Sequence, residues 1–176
     1  DLSVWLNDDV PGDCSGSVEE AGVRLFFDGH LIDHARNCLI SGTEAARAAL
    51  TLYRRRGAEF LLELEGRFLL SLQDTVQKTS LVAVDPTGQR TFYYSITEDG
   101  GFAGAPSLGA MKGLVSLEVD RTQLPRWLHF RGLSGSETVL KGVRLLGAGQ
   151  ALEWVPAGGA PRVRTYRRDN FYSRPR

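Results

Sequence analysis

Three apolar runs rich in β-branched and aromatic residues follow one another closely in the middle of the chain, at 68–72, 80–84 and 91–95. Runs of this length and composition predict β-strands, and the polar sequences between them are typical of turns. A parallel pair of strands needs a connection of a dozen or more residues, and these connections are shorter. We therefore expect hairpin neighbours in an antiparallel sheet, which excludes folds without such a sheet.

Further elements are predicted on both sides of these strands. Alternation at 23–27 predicts a strand that runs into a sharp turn at Asp28-Gly29, and residues 12–22 are expected to form a loop. Ser41 opens a helix with an alanine-rich face, which ends in three arginines before Gly57. The other predicted elements are strands at 3–6, 102–104, 143–145 and 151–154, short helices at 60–64 and 107–114, and a helix capped by Asp120 with Leu124, Trp127 and Leu128 on one side. This order predicts an α+β fold with a large antiparallel component.

Size and charge limit the classes of function. The chain has 176 residues, 42% of them hydrophobic, which suits one compact domain. Lys plus Arg and Asp plus Glu both total 21, so no basic field is available to attract a nucleic acid. No apolar run reaches the ~20 residues that span a bilayer. Two cysteines without CxxC spacing and three scattered histidines predict a reduced, cytoplasmic protein with no metal or cofactor.

Several segments, in the right order, resemble the amidotransferase domain of asparagine synthetases. They lie at 25–33, 41–44, 64–69, 84–94, 102–114, 138–150 and 164–166. Leu64-Glu65-Gly66-Arg67-Phe68-Leu69, for example, stands where that family has Leu-x-Gly-x-Phe-Ala. The resemblance implies an N-terminal-nucleophile αββα sandwich, with two mainly antiparallel sheets between helical layers. It also implies a glutaminase-like domain at 1–166 with a divergent part at 1–22, and an arginine-rich tail or linker at 167–176.

The cysteine that performs the family's reaction is missing from its place. The resemblance implies glutamine hydrolysis by a cysteine at the first position, whose free α-amino group serves as the base. This chain begins with Asp1, and Cys14 lies before Ser15-Gly16 rather than before the family's Gly-Ile. We therefore expect no catalytic residue. Cys38 is expected to be a buried thiol at the end of an apolar run.

Three further positions define the expected substrate pocket. The resemblance implies that Asp28 and Gly29 stand in place of the Asn-Gly of the oxyanion hole. Gly29 keeps the backbone donor, whereas a carboxylate at Asp28 repels a developing negative charge. Gly42 stands where the family has an acidic residue for the α-amino group of the substrate. These residues are predicted to be a vestigial pocket, and turn chemistry is the alternative explanation for Asp28-Gly29, as close packing or a positive φ is for Gly66 and Gly142.

The resemblance favours a non-catalytic glutaminase-like domain that packs against an ATP-dependent, amide-forming synthetase domain or subunit. The arginine-rich end from residue 162 would lead into that domain, and the synthetase's own Ser-Gly-Gly-x-Asp-Ser loop does not occur in the sequence. Two alternatives stay open. One is an N-terminally truncated, active glutaminase that supplies ammonia. The other is a module that binds a peptide or a small molecule in the vacated pocket.

Overall fold

The computed structural model describes residues 14–98, 100–155 and 159–167. The strand predicted at 3–6 and the tail from residue 168 lie outside these ranges. The strands are β1 (Ser15–Glu20), β2 (Val23–Asp33), β3 (Cys38–Ser41), β4 (Gly66–Asp74), β5 (Thr79–Val84), β6 (Tyr93–Ile96), β7 (Phe102–Ala105), β8 (Val143–Leu145), β9 (Gln150–Trp154) and β10 (Arg162–Thr165). The helices are α1 (Gly42–Arg56), α2 (Leu108–Met111) and α3 (Leu124–Phe130), with a 3₁₀ helix at Gly57–Glu63. None of these helices is long and apolar enough to cross a membrane.

A large antiparallel sheet contains seven of the described strands. Its order is β1-β2-β4-β5-β9-β10, and β3 pairs with the part of β2 that extends beyond β1. Side chains alternate across a strand, so each strand presents one set of residues to each face of the sheet. In β4, Phe68, Leu70 and Leu72 belong to the core on one face, whereas Leu69 belongs to the core on the other.

Helix α1 covers the first face of the large sheet. Its alanine-rich side is buried, as the spacing predicts, and Leu50 and Tyr53 are buried with it. Beneath the helix the rings of Phe27 and Phe68 lie 5.7 Å apart. Full burial of such a side chain contributes about 1.5–3 kcal/mol, so this layer is the main hydrophobic core.

A second sheet, ordered β7-β6-β8, covers the other face. Phe92, Tyr94 and Phe102 pack between the two sheets. Helix α2 lies on the outer side of this small sheet, where Met111 is fully buried. The layers are therefore helix, sheet, sheet and helix, and the predicted α+β, αββα architecture is confirmed.

The start of the described chain differs from the sequence prediction. Residues 15–20 form β1 rather than a loop, and the β1–β2 hairpin turns at Ala21-Gly22, where φ is +49° and +79°. Asp28-Gly29 is not a turn, because both residues lie inside β2, where both pair with β4 and Asp28 also pairs with β1. Pairing on both sides outweighs the local turn preference of the dipeptide.

The pairing expected for the third strand-like run, at 91–95, is wrong. β4 and β5 form the expected hairpin, but the other neighbour of β5 is β9. β6 instead belongs to the small sheet, between β7 and β8. The chain changes sheets in the short loop at 85–92, and the burial of Phe92 between the two sheets favours this crossing.

Residues 112–142 form a peripheral segment that contains no buried residue. Helix α3 lies within it and begins at Leu124, four residues after the predicted cap Asp120. The Asp120 carboxylate instead accepts hydrogen bonds from the backbone N–H and the hydroxyl of Thr122. The predicted apolar side of α3 is exposed at Trp127 and Leu128. The helix is thus correctly predicted as an element, whereas its predicted cap is wrong and none of its residues is buried.

Candidate functional site

The start of β1 brings together the residues of the predicted pocket. The backbone carbonyl of Cys14 accepts hydrogen bonds from the N–H of Gly29 at 2.9 Å and from the N–H of Gly42 at 3.3 Å. The register sets Ser15 opposite Asp28 in β2, and Ser15 also forms a bridge with Gly42 at the start of α1. We call this meeting point of β1, β2 and α1 the junction.

Glycine is required at Gly29 by its close approach to the backbone of the paired strand β4. Its φ is +129°, a region that other residues rarely adopt, and an added Cβ would lie 2.0 Å from the carbonyl oxygen of Arg67. Gly66 makes the reciprocal approach, since its Cβ would lie 2.1 Å from the carbonyl oxygen of His30. Close packing therefore explains both glycines without any role in binding.

A third glycine holds β1 against helix α1. A Cβ on Gly16 would lie 2.1 Å from the backbone nitrogen of Thr43 and 2.4 Å from the carbonyl carbon of Gly42. Only a residue without a side chain lets the strand pass this close to the first turn of the helix. The carbonyl of Cys14 consequently faces the helix N-terminus, where backbone N–H groups have no partner within the helix.

Asp28 carries an ion pair that the sequence did not indicate. Its Oδ1 accepts a hydrogen bond from Nη2 of Arg90 at 3.1 Å. The Asp28 side chain is 13% exposed and that of Arg90 is 29% exposed. The two residues are 62 positions apart. The carboxylate predicted to repel an oxyanion is therefore paired with a cation.

The loop after β5 holds Arg90 in place. The fully buried carboxylate of Asp85 accepts hydrogen bonds from the backbone N–H groups of Thr87, Gln89 and Arg90, and from the Thr87 hydroxyl. Such a side-chain-centred turn is rigid because several donors share one carboxylate. The Asp-Pro-Thr-Gly sequence signals the turn, but nothing in it indicates that the turn aims Arg90 at Asp28.

Arg90 also leaves one polar atom unpaired. Its Nε is buried and, among the described residues, has no hydrogen-bond partner. Buried donors are nearly always paired, and an unpaired one costs about 1–3 kcal/mol. The guanidinium thus donates to Asp28 through Nη2, while its Nε is buried and has no acceptor within the described part of the chain.

The two cysteines have different surroundings. The Sγ of partly buried Cys14 lies 3.4 Å from Nε2 of His30, within hydrogen-bonding distance for sulfur. Cys38 is exposed, and the expectation of a buried thiol is wrong. It opens β3, which among the described strands pairs only with β2, so its side chain is not covered.

The backbone N–H groups at the junction already have a hydrogen-bond acceptor, which limits what they can contribute to amide hydrolysis. An oxyanion hole needs N–H groups that are free to receive the developing charge. At the junction the N–H groups of Gly29 and Gly42 both point at the carbonyl of Cys14. The nitrogen of Cys14 is in the peptide bond from Asp13, so it is not a free amine.

Comparison with known proteins places these features in context. The model of a family described as a glutamine amidotransferase domain matches residues 34–167, a range that begins after Cys14, Asp28 and Gly29. A search of curated proteins found no match.

Two solved structures are similar over 90% of this chain, each with a TM-score of 0.54. One is described as a glutamine phosphoribosylpyrophosphate amidotransferase from B. subtilis complexed with ADP and GMP, with 13% identity. The other is described as the allosteric regulatory enzyme of purine biosynthesis, with 12% identity. The chain spans 32% and 31% of their lengths, about a third. At this identity the likeness concerns the fold alone, and it agrees with the αββα architecture described above.

Proposed function

Because the chain belongs to the glutamine amidotransferase domain family, we propose that it is a non-catalytic member of the asparagine synthetase type. In this proposal the domain acts beside an ATP-dependent synthetase domain or subunit that forms an amide bond. Its contribution is a folded surface that stabilises the synthetase, and it supplies no ammonia.

One observation carries the proposal that glutamine is not hydrolysed. The N–H of Gly29, the one donor retained from the expected oxyanion hole, is bonded at 2.9 Å to the carbonyl of Cys14. This bond lies directly beside the last β1–β2 pair, Ser15 with Asp28, so releasing the donor would require the residue that precedes β1 to move away from β2. Loss of a single oxyanion donor in an active enzyme costs about 10²–10³ in kcat.

Two more features of the junction agree with the loss of activity. The Asp28 carboxylate and the Arg90 guanidinium form an ion pair at the position where the resemblance implies an amide side chain. Gly42 has no side chain with which to receive the α-amino group of an amino acid, and its N–H is also bonded to Cys14. Substrate binding and charge stabilisation are therefore both compromised.

The synthetase partner is supported by the resemblance and by length. The segments that resemble asparagine synthetases recur in order along most of the chain. The similar solved structures are about three times as long as this chain, so in those proteins a domain of this fold is accompanied by other parts.

Glutamine hydrolysis by the 176-residue chain tests the first half of the proposal. We expect ammonia release no faster than in a control without protein, at glutamine concentrations up to tens of millimolar. The Asp28→Asn variant should be equally inactive, because the Gly29 N–H stays bonded to Cys14. Saturable ammonia release by the unmodified chain would overturn the proposal and favour a truncated, active glutaminase.

Intact mass and sequencing of the protein from its native source test the second half. We expect a polypeptide that includes, or copurifies with, a subunit carrying the Ser-Gly-Gly-x-Asp-Ser loop of a synthetase. A native protein that ends near residue 176 and migrates alone would contradict the partnership, while leaving the absence of hydrolysis unaffected.

A ligand-binding module is a second candidate, favoured by the unpaired Nε of Arg90. A small molecule with a carboxylate would satisfy this donor if its binding displaced the atoms that now bury it. A ligand that binds only the folded state raises the melting temperature. At a ligand concentration of 100 times Kd it adds about 2.7 kcal/mol to the free energy of unfolding. A thermal-shift screen of amino acids and short peptides, repeated on Arg90→Gln, would support this candidate if the shift depends on Arg90.

A further inference from the structure

The thiol of Cys14 and the ring of His30 form a pair that the amidotransferase resemblance does not use. Their Sγ and Nε2 atoms are 3.4 Å apart, although the residues are 16 positions apart. The family's cysteine uses its own α-amino group as base, whereas here the nearby base is an imidazole. A neutral imidazole at this distance can accept the proton of a thiol.

The backbone around the pair is fixed. The Cys14 carbonyl is anchored by the N–H groups of Gly29 and Gly42, and the next residue, Ser15, pairs with Asp28. His30 lies in β2, where it pairs with Arg67 of β4 and with Ser41 of β3. Because His30 lies in a paired strand and the Cys14 carbonyl is bonded to β2 and to α1, the fold brings the thiol and the imidazole together.

The first turn of α1 also holds the backbone of Cys14. Gly42, the first residue of this 15-residue helix, donates its N–H to the Cys14 carbonyl. Cysteines beside a histidine are characteristic reactive thiols.

We propose that Cys14 is a reactive thiol that exchanges with small disulfides, with His30 as the base. In this step His30 accepts the Cys14 proton, and the thiolate sulfur attacks one sulfur of the small disulfide. A new bond joins Cys14 to that sulfur, the original sulfur–sulfur bond breaks, and the second sulfur leaves as a thiolate. Cys14 is thereby oxidised to a mixed disulfide, and half of the small disulfide is reduced to a thiol.

Cys38 provides a matched control within the same chain. It is exposed, whereas Cys14 is only partly exposed, and no described side chain hydrogen-bonds its thiol. If access alone governed the reaction, Cys38 would react faster. If the imidazole governs it, the more covered Cys14 reacts faster.

The experiment uses dithiobis-nitrobenzoate, a small aromatic disulfide, on the 176-residue chain carrying either Cys38→Ser or Cys14→Ser. We expect the native Cys14 thiol to react at least about tenfold faster than the native Cys38 thiol. This is less than the rate acceleration of about 10²–10⁴ that a well-positioned general base gives in an enzyme. In urea, where the pair is dispersed, the two rates should converge. The product at Cys14 should gain the mass of one nitrothiobenzoate group and lose it on reduction.

In the Cys38→Ser background, His30→Gln should slow the Cys14 reaction about tenfold. The control is His34→Gln, which changes an exposed histidine bonded to Glu65 and should leave the rate unchanged. A native Cys14 that reacts no faster than native Cys38 would overturn the proposal, and that comparison needs no folded histidine variant. An unchanged rate in a folded His30→Gln protein would also overturn it. Glutamine hydrolysis is measured separately, so either proposal can fail without the other.

Discussion

Helices α1 and α3 have apolar residues at similar spacing, yet they differ in what those residues contact. Helix α1 buries Leu50 and Tyr53 together with its alanines against the large sheet. Helix α3 buries none of its residues, and Leu128 is 69% exposed. The spacing of apolar residues makes a helix amphipathic, but burial of its apolar side requires a second, complementary surface.

The same contrast extends to the neighbourhoods of the two helices. Around α1, Gly16 and Gly29 approach neighbouring backbone at distances that only glycine permits. The buried carboxylate of Asp85 organises the loop that holds Arg90 against Asp28. The peripheral segment contains comparable glycines and a comparable carboxylate in open surroundings. Matched substitutions in the two regions therefore measure what the packed environment adds.

The largest expected effect is at Gly29. Gly29→Ala combines a positive φ with a Cβ 2.0 Å from the carbonyl oxygen of Arg67, and we expect a loss of about 4 kcal/mol in the free energy of unfolding. Gly135→Ala also has a positive φ, +74°, but no atom lies within 4 Å of its Cβ. It should cost about 1–2 kcal/mol. Urea unfolding checks both, and equal losses would mean that backbone strain alone matters at Gly29.

Leucine truncation in the two helices is the next largest effect. Leu50→Ala removes a side chain that is 2% exposed and should lower the free energy of unfolding by about 3 kcal/mol, including the cavity term. Leu128→Ala removes one that is 69% exposed and should change it by less than about 0.5 kcal/mol. A loss at Leu128 close to that at Leu50 would show that α3 is covered by another surface in solution.

A smaller effect is expected at the two carboxylates that organise turns. Asp85→Ala removes a fully buried carboxylate and leaves four donors of a partly buried loop without their acceptor, which should cost about 2 kcal/mol. Asp120→Ala removes the acceptor of two Thr122 donors in an exposed turn, where water replaces it, so the denaturation midpoint should barely move. If Asp85→Ala were equally mild, Arg90 would have to be held by Asp28 alone.

The smallest effect concerns pH and Tyr53. Burial, and then the hydrogen bond from its hydroxyl to Asp74 at 2.9 Å, raise the pKa of Tyr53 to about 12 from 10.0. The folded state therefore holds this proton more tightly, so its stabilisation is complete below pH 10 and is lost as pH rises toward 12.

Comparison of the unmodified chain with Tyr53→Phe isolates this contribution. Below pH 10 the variant should be about 1 kcal/mol less stable, because it lacks the hydrogen bond. Above pH 10 the difference should shrink, since only the unmodified chain has the Tyr53 proton to lose. Urea midpoints of both proteins across pH 8–12 measure it, and a constant difference would contradict the raised pKa.

The element types were largely predictable, because they depend on local sequence. The alanine-rich face from Ala45 onward, the closing Gly57 and the hairpin of β4 and β5 all follow from spacing and turn chemistry. The errors occurred where long-range pairing overrides a local signal. Asp28-Gly29 has the sequence of a turn, but it lies within β2, paired with β4 and, at Asp28, with β1.

The candidate site was predictable only in part. Asp28, Gly29 and Gly42 were singled out, and they do meet at the start of β1. The ion pair with Arg90 and the contact between Cys14 and His30 were not indicated. Neither pair has a sequence spacing that marks it, because strands and loops bring the partners together across 62 and 16 residues.

The sequence by itself determined most of the helices and strands, since hydrophobic period and turn residues act over a few positions, although β1, β3 and β10 were not predicted. It also carried the resemblance to the amidotransferase fold. Only the tertiary structure decided that β6 leaves the first sheet and that Arg90 meets Asp28. Only the tertiary structure, too, brought the carbonyl of Cys14 to the N–H of Gly29. These outcomes depend on how distant segments compete for the same surface and donors, and such competition is resolved when the whole chain packs.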